Sequence, residues 1–115
     1  MYKLVILIPP PFDSGAFYEQ WPHFLHAAER MPGLRRESSV HPHAHLFGPY
    51  RLEMIHELYF DDLSALEAAL LSPEGQVAGE ILQRITNRRV TLLIAEHRED
   101  SLERIRSLRG SSPQE

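Results

Sequence analysis

The chain contains no cysteine, which excludes disulfides, thiolate-ligated metals and cysteine nucleophiles together and leaves the redox environment open. It also lacks a long hydrophobic run. The apolar stretch LVILI near the start is too short to cross a bilayer, and three prolines follow it instead of a small-residue cleavage site. No membrane partner is expected, and a cytoplasmic location is the default. An excess of positive charge is missing too: 12 Lys and Arg stand against 16 Asp and Glu, for a formal charge of −4. The arginines are scattered along the chain and form no basic face, so nucleic acid is not an expected partner. There is no Gly-rich phosphate loop, no G-x-S-x-G elbow and no H-E-x-x-H helix. Nucleotide binding and hydrolase chemistry therefore have no local support.

What remains is the composition of a small folded domain, 43% hydrophobic and 24% charged over 115 residues, enough for one core and not two. Residues 3–9 form a continuous β-branched and aliphatic run ended by Pro10 and Pro11, which predicts a buried strand. Asp13 suits a helix N-cap, and Phe17, Trp21, Leu25 and Ala28 recur at helical spacing until Pro32–Gly33. Pro22 inside that helix predicts a kink near Trp21. A polar edge strand is expected over 34–40, then a loop broken by Pro42, Gly48 and Pro49.

Residues 51–60 alternate at the strand period, with Leu52, Met54, His56, Leu58 and Phe60 on the core face. A short helix begins at Asp61–Asp62. Ser72 as N-cap with Pro73 at the first helical position opens another, reaching Thr86. The last strand is expected over 88–96. Residues 1–97 then form the domain, and 98–115 a C-terminal extension made of a short helix and a disordered tail.

This order is the split β-α-β-β-α-β pattern of an α+β, ferredoxin-like fold: a four-stranded antiparallel sheet with helices on one face. Val5, Leu7, Ile55, Tyr59, Thr91, Leu93 and Ala95 alternate away from those helices. An apolar face of that extent predicts an interface, so two chains are expected to pack sheet to sheet as a homodimer around a barrel-like cavity.

Glu57 would point from a central strand into that apolar space beside the Tyr59 phenol. There burial disfavours its charged form, and a raised pKa would suit a general acid or base. An ion pair with a basic residue is the alternative. His56, of opposite parity, is expected to be a hydrogen-bonded core histidine, and His97 to be exposed. His41, His43 and His45 would stand roughly 6.5 Å apart in succession on an extended segment, too far for all three to reach one ion at zinc–nitrogen distance. No metal site is expected.

The segments YKLVILIPPP, DSGAFYEQW, MPGLRR, IHELYFDDLSALEAALLSPEGQ and VTLLIAEH together resemble the EthD-like family of dimeric α+β barrels, named for ethyl tert-butyl ether degradation. The resemblance covers residues 1–97. It implies a sheet-to-sheet homodimer, a small apolar cavity and no cofactor. Family members often carry a first-helix Trp followed one turn later by His. Here that place is Leu25 counted from Trp21 and Phe24 counted back from Pro32, with His23 and His26 on either side of the pair. Either His23 substitutes for the missing group or the polar group has been lost.

The candidate catalytic residues are thus Glu57, Tyr59 and His23, with Val5, Leu7, Trp21, His26, Ile55 and Leu93 lining the ligand pocket. Two functions are in view. One is a cofactor-free isomerase, lyase or oxygenase acting on a small oxygenated apolar metabolite. The other is a non-catalytic dimeric binding or accessory module whose pocket is filled or vestigial.

Overall fold

The computed structural model describes residues 1–110; the expected disordered tail, 111–115, lies outside them. The elements run β1 (Tyr2–Ile8), α1 (Ser14–Ala28), β2 (Arg36–Val40), β3 (Met54–Phe60), α2 (Leu63–Leu71), α3 (Pro73–Ile85), β4 (Thr91–Glu96) and α4 (Leu102–Gly110). The strands form one antiparallel sheet in the order β2-β3-β1-β4. With the helices over one side, this is the ferredoxin-like α+β fold.

Local chemistry sets the helix starts. The side chains of Asp13, Asp62 and Ser72 accept from the backbone N–H of Ala16, Ala65 and Gly75 at 3.0, 2.8 and 3.0 Å. Each satisfies one of the donors that a helix leaves unpaired at its first turn. α1 continues through Pro22 to Ala28. Three strands begin later than their patterns predict, β2 by two residues, at Arg36. β3 starts at Met54, because the turn containing Pro49 holds Arg51–Glu53 out of the ladder except for one bond from Glu53 N–H to Ile8 C=O at 2.7 Å. β4 starts at Thr91, because Asn87 and Arg88 take left-handed backbone angles, φ 53° and 61°, that no strand contains.

One face of the sheet is the core. Leu4, Ile6 and Ile8 of β1 and Met54, His56, Leu58 and Phe60 of β3 meet Phe17, Trp21 and Phe24 of α1, Leu66 of α2 and Leu82 of α3, all buried. Full burial of side chains of this size contributes roughly 1.5–3 kcal/mol each. α3 turns sharply out of α2, and a Cβ added at Gly75 would sit 2.1 Å from the Ala69 carbonyl oxygen, so only glycine permits this corner. Among the described residues no helix packs on the opposite face of the sheet. The two edge strands, β2 and β4, are largely exposed.

Candidate functional site

The strand register assembles the helix-free face row by row. Ser38, Glu57, Val5 and Leu93 lie across the sheet in one row, and Arg36, Tyr59, Lys3 and Ala95 in the next. A third row holds Val40, Ile55, Leu7 and Thr91. Val5, Leu7, Ile55 and Leu93 are therefore brought together as an apolar surface, the first three half-buried and Leu93 48% exposed.

A polar network sits in the middle of that surface. Lys3 Nζ is 2.7 Å from Glu57 Oε2, and both side chains are only 15% exposed. The Tyr59 hydroxyl donates to Glu57 Oε1 at 2.9 Å, and the Ser38 hydroxyl donates to the same oxygen at 3.3 Å. Burial pushes the Glu57 carboxyl up, but hydrogen bonds from Lys3, Tyr59 and Ser38 and the ammonium charge together hold it below the ordinary glutamate value. This corrects the expectation of a raised pKa. Desolvation is present, but the donors around the carboxylate outweigh it. Burial likewise lowers the pKa of Lys3, and the Glu57 hydrogen bond and charge more than reverse that, so the ammonium is held above its usual value.

The Tyr59 ring is not open to a cavity within its own chain. The Arg36 guanidinium lies 4.2 Å and Lys3 Nζ 5.3 Å from the ring centroid, and the His97 ring meets it edge-on at 5.1 Å. These contacts leave Tyr59 5% exposed. His97, expected in solvent, is instead 19% exposed and bonded to Glu99 at 2.6 Å.

The first-helix candidates fall elsewhere. Trp21 is core: it stacks on Phe17 at 5.5 Å, lies 5.0 Å from Phe24 and meets the His56 ring edge-on at 5.3 Å. Its helical face points at the sheet, which corrects its placement as a pocket residue. His23 and His26 face away from that core. They line a groove of about 590 Å³ between α1 and α3, on the helix side of the sheet and away from Glu57. The expected grouping of His23 with Glu57 and Tyr59 is therefore not formed within one chain.

His56 is buried and hydrogen-bonded. Its Nδ1 is 2.7 Å from Ser39 Oγ and its Nε2 is 3.2 Å from Glu37 Oε2, a pattern satisfied when Nε2–H donates to the carboxylate and Nδ1 accepts from the hydroxyl. Burial lowers its pKa, and Glu37 opposes this only in part. His41, His43 and His45 are exposed, and the His45 ring N–H donates to the Gly48 carbonyl at 2.6 Å. Among the described residues no three His, Asp or Glu side chains converge as a metal site, and no helix is long and apolar enough to cross a membrane.

Lys3, Arg36 and Ser38 are functional candidates that sequence reasoning passed over. Strand parity alone puts Lys3 on the face of Val5 and Leu7. Arg36 and Ser38 required the register of an edge strand, which no sequence pattern supplies.

No protein-family profile and no curated protein sequence matches the chain. Solved structures do. The chain is similar to an ethyl tert-butyl ether (EthD) family protein from Bacillus halodurans C-125, with TM-score 0.78 and 27% identity over 85% of this chain and 99% of that one. It shares its fold with a dimeric ferredoxin-like protein of unknown function from Jannaschia sp. CCS1, at TM-score 0.58 and 24% identity over 84% and 97% of the two chains. It also shares its fold with SnoaB, a cofactor-independent oxygenase from Streptomyces nogalater, at TM-score 0.62 and 13% identity over 88% and 96%.

Proposed function

From the ferredoxin-like fold and the likeness to an EthD family protein we propose that the chain acts as a homodimer whose two open sheet faces enclose a space for a small, mostly apolar oxygenated molecule. The observation that carries this reading is the helix-free face itself, an apolar surface with one charged network at its centre. Surfaces of that kind on small proteins are usually covered. The loop between β2 and β3 supports a second copy as the cover: Leu46, Phe47 and Tyr50 are 94%, 95% and 85% exposed. The dimeric description of the Jannaschia protein supports it too.

Within this space Lys3 is the group best suited to chemistry. Its ammonium is held charged and has three N–H donors, one of which Glu57 takes. A second is engaged by Tyr59, and the third is left to meet a ligand oxygen and to stabilise negative charge on an enolate-like intermediate. That fits a cofactor-free isomerase, lyase or oxygenase in which Lys3 acts as electrostatic partner. Glu57 is a poor proton acceptor while three donors hold it ionised.

This same saturation of Glu57 favours a second reading, a binding module without turnover. A thermal-shift screen against lactones, quinones, phenols and short ethers, with product analysis by mass spectrometry, separates the two. A ligand at about 100 times its dissociation constant adds about 2.7 kcal/mol to the native state. A selective shift lost in Lys3→Met, with product formed, supports the enzyme; the shift without product supports the module. No shift with any compound removes small-molecule binding from the proposal.

A further inference from the structure

The groove between α1 and α3 is a second concave surface, separated from the helix-free face by the sheet and the core. Its floor is apolar, formed by Val77 and Ile81 of α3 against Ala27 of α1. Its rim is cationic and imidazole-rich. His23 and His26 lie three residues apart on α1, Arg30 follows just beyond the C-terminal end of that helix, and Arg84 lines the groove from the last turn of α3. Among the described residues neither Arg30 nor Arg84 makes an ion pair. Both arginines are exposed, so their guanidinium groups keep all their donors for an incoming acceptor.

We propose that this groove binds a small carboxylate carrying an apolar tail. The charge count selects the anion: two guanidinium groups against the single carboxylate of Glu74 on the same rim leave a net charge of +1, which matches a monoanion better than a phosphate dianion. Arginine forks present paired N–H groups that match a carboxylate edge. The apolar floor gives the tail a place, and the two histidine rings offer further hydrogen-bonding groups along the groove. The cavity volume, about 590 Å³, lies in the range of small-molecule sites. The site needs neither Glu57 nor Lys3, so it stands or falls separately from the sheet-face reading.

The test uses the full chain with methyl-labelled Val, Leu and Ile, titrated with octanoate, n-octanol and acetate and followed by NMR. Octanoate should move the methyl signals of Val77 and Ile81, and acetate, lacking the tail, should bind more weakly. Arg30→Gln with Arg84→Gln should weaken octanoate at least about tenfold, the loss expected for charge-assisted hydrogen bonds, and leave octanol unchanged. Both positions are exposed, so the variant should fold and retain its oligomeric state. Equal affinity for octanoate and octanol, with no effect of the double substitution, overturns the proposal. So does the absence of any shift, or a shift confined to Val5, Leu7 and Leu93 on the sheet face.

Discussion

Replacing Lys3 by methionine tests what keeps Glu57 ionised. The substitution keeps most of the side-chain stem and removes the ammonium at 2.7 Å from the carboxylate. Breaking a fully buried ion pair by removing one partner costs about 3–5 kcal/mol, and losing one charged hydrogen bond costs about 1.5–3 kcal/mol. Both side chains retain 15% exposure, so water takes up part of the loss, and about 2 kcal/mol at neutral pH is the expected cost. At about 4 °C per kcal/mol this lowers the melting temperature by roughly 8 °C.

The pH dependence gives a sharper readout. In the wild type the Glu57 carboxyl is held below its unfolded value, so its contribution is complete above that value and is lost as pH falls through the folded pKa. Without Lys3 the burial that raises the carboxyl is opposed only by Tyr59 and Ser38, and its pKa should rise. The stability difference between the two proteins should then shrink as the pH drops into the carboxylate range. Urea denaturation across pH, with carbon-detected NMR titration of Glu57, measures both quantities. The double variant Lys3→Met/Glu57→Gln should recover most of the stability. If Lys3→Met loses less than roughly 0.5 kcal/mol, within the scatter of an ordinary surface substitution, and Glu57 titrates as before, Lys3 is not what holds the carboxylate.

Two further outcomes follow from the packing. Gly75→Ala forces a methyl to within 2.1 Å of the Ala69 carbonyl oxygen, so the α2–α3 corner must open at a cost of about 2–3 kcal/mol; an unchanged denaturation midpoint would contradict the close approach. His56 is held below the ordinary histidine value by burial. Stability should therefore fall as pH drops from about 6.5 toward the lower folded value, where the unfolded chain takes up a proton that the folded one refuses. His56→Leu should flatten that part of the stability profile, and a profile equally steep in the variant would assign the effect to other groups.

The architecture was legible because its signals are local. Alternation in 54–60, the N-caps Asp13, Asp62 and Ser72, and Pro73 after Ser72 each specify an element without knowledge of the rest of the chain. The site was only partly legible, since its chemistry depends on neighbours across strands. Parity placed Glu57 and Tyr59 on the same face as Val5 and Leu7. The sign of the Glu57 shift, however, depends on Lys3 being opposite Tyr59 and Ser38 opposite Glu57. Trp21 and His23 show the same limit for helices: two residues apart, they turn to opposite sides of α1, one into the core and one into the groove. His97 needed the path of the chain after β4, which brings its ring against Tyr59.

The central claim is that the helix-free face is the homodimer interface, and sedimentation velocity of the full chain beside Leu93→Asp addresses it most directly. Leu93 lies in the same cross-sheet row as Val5 and Glu57 and is 48% exposed, so an aspartate there can be solvated in a monomer but is buried when two faces meet. An uncompensated carboxylate in such an interface costs several kcal/mol. A dimer for the wild type, and a folded monomer at the same concentration for the variant, is the predicted result. A wild-type monomer, or a dimer untouched by Leu93→Asp, would contradict the claim and leave the apolar face without the role assigned to it.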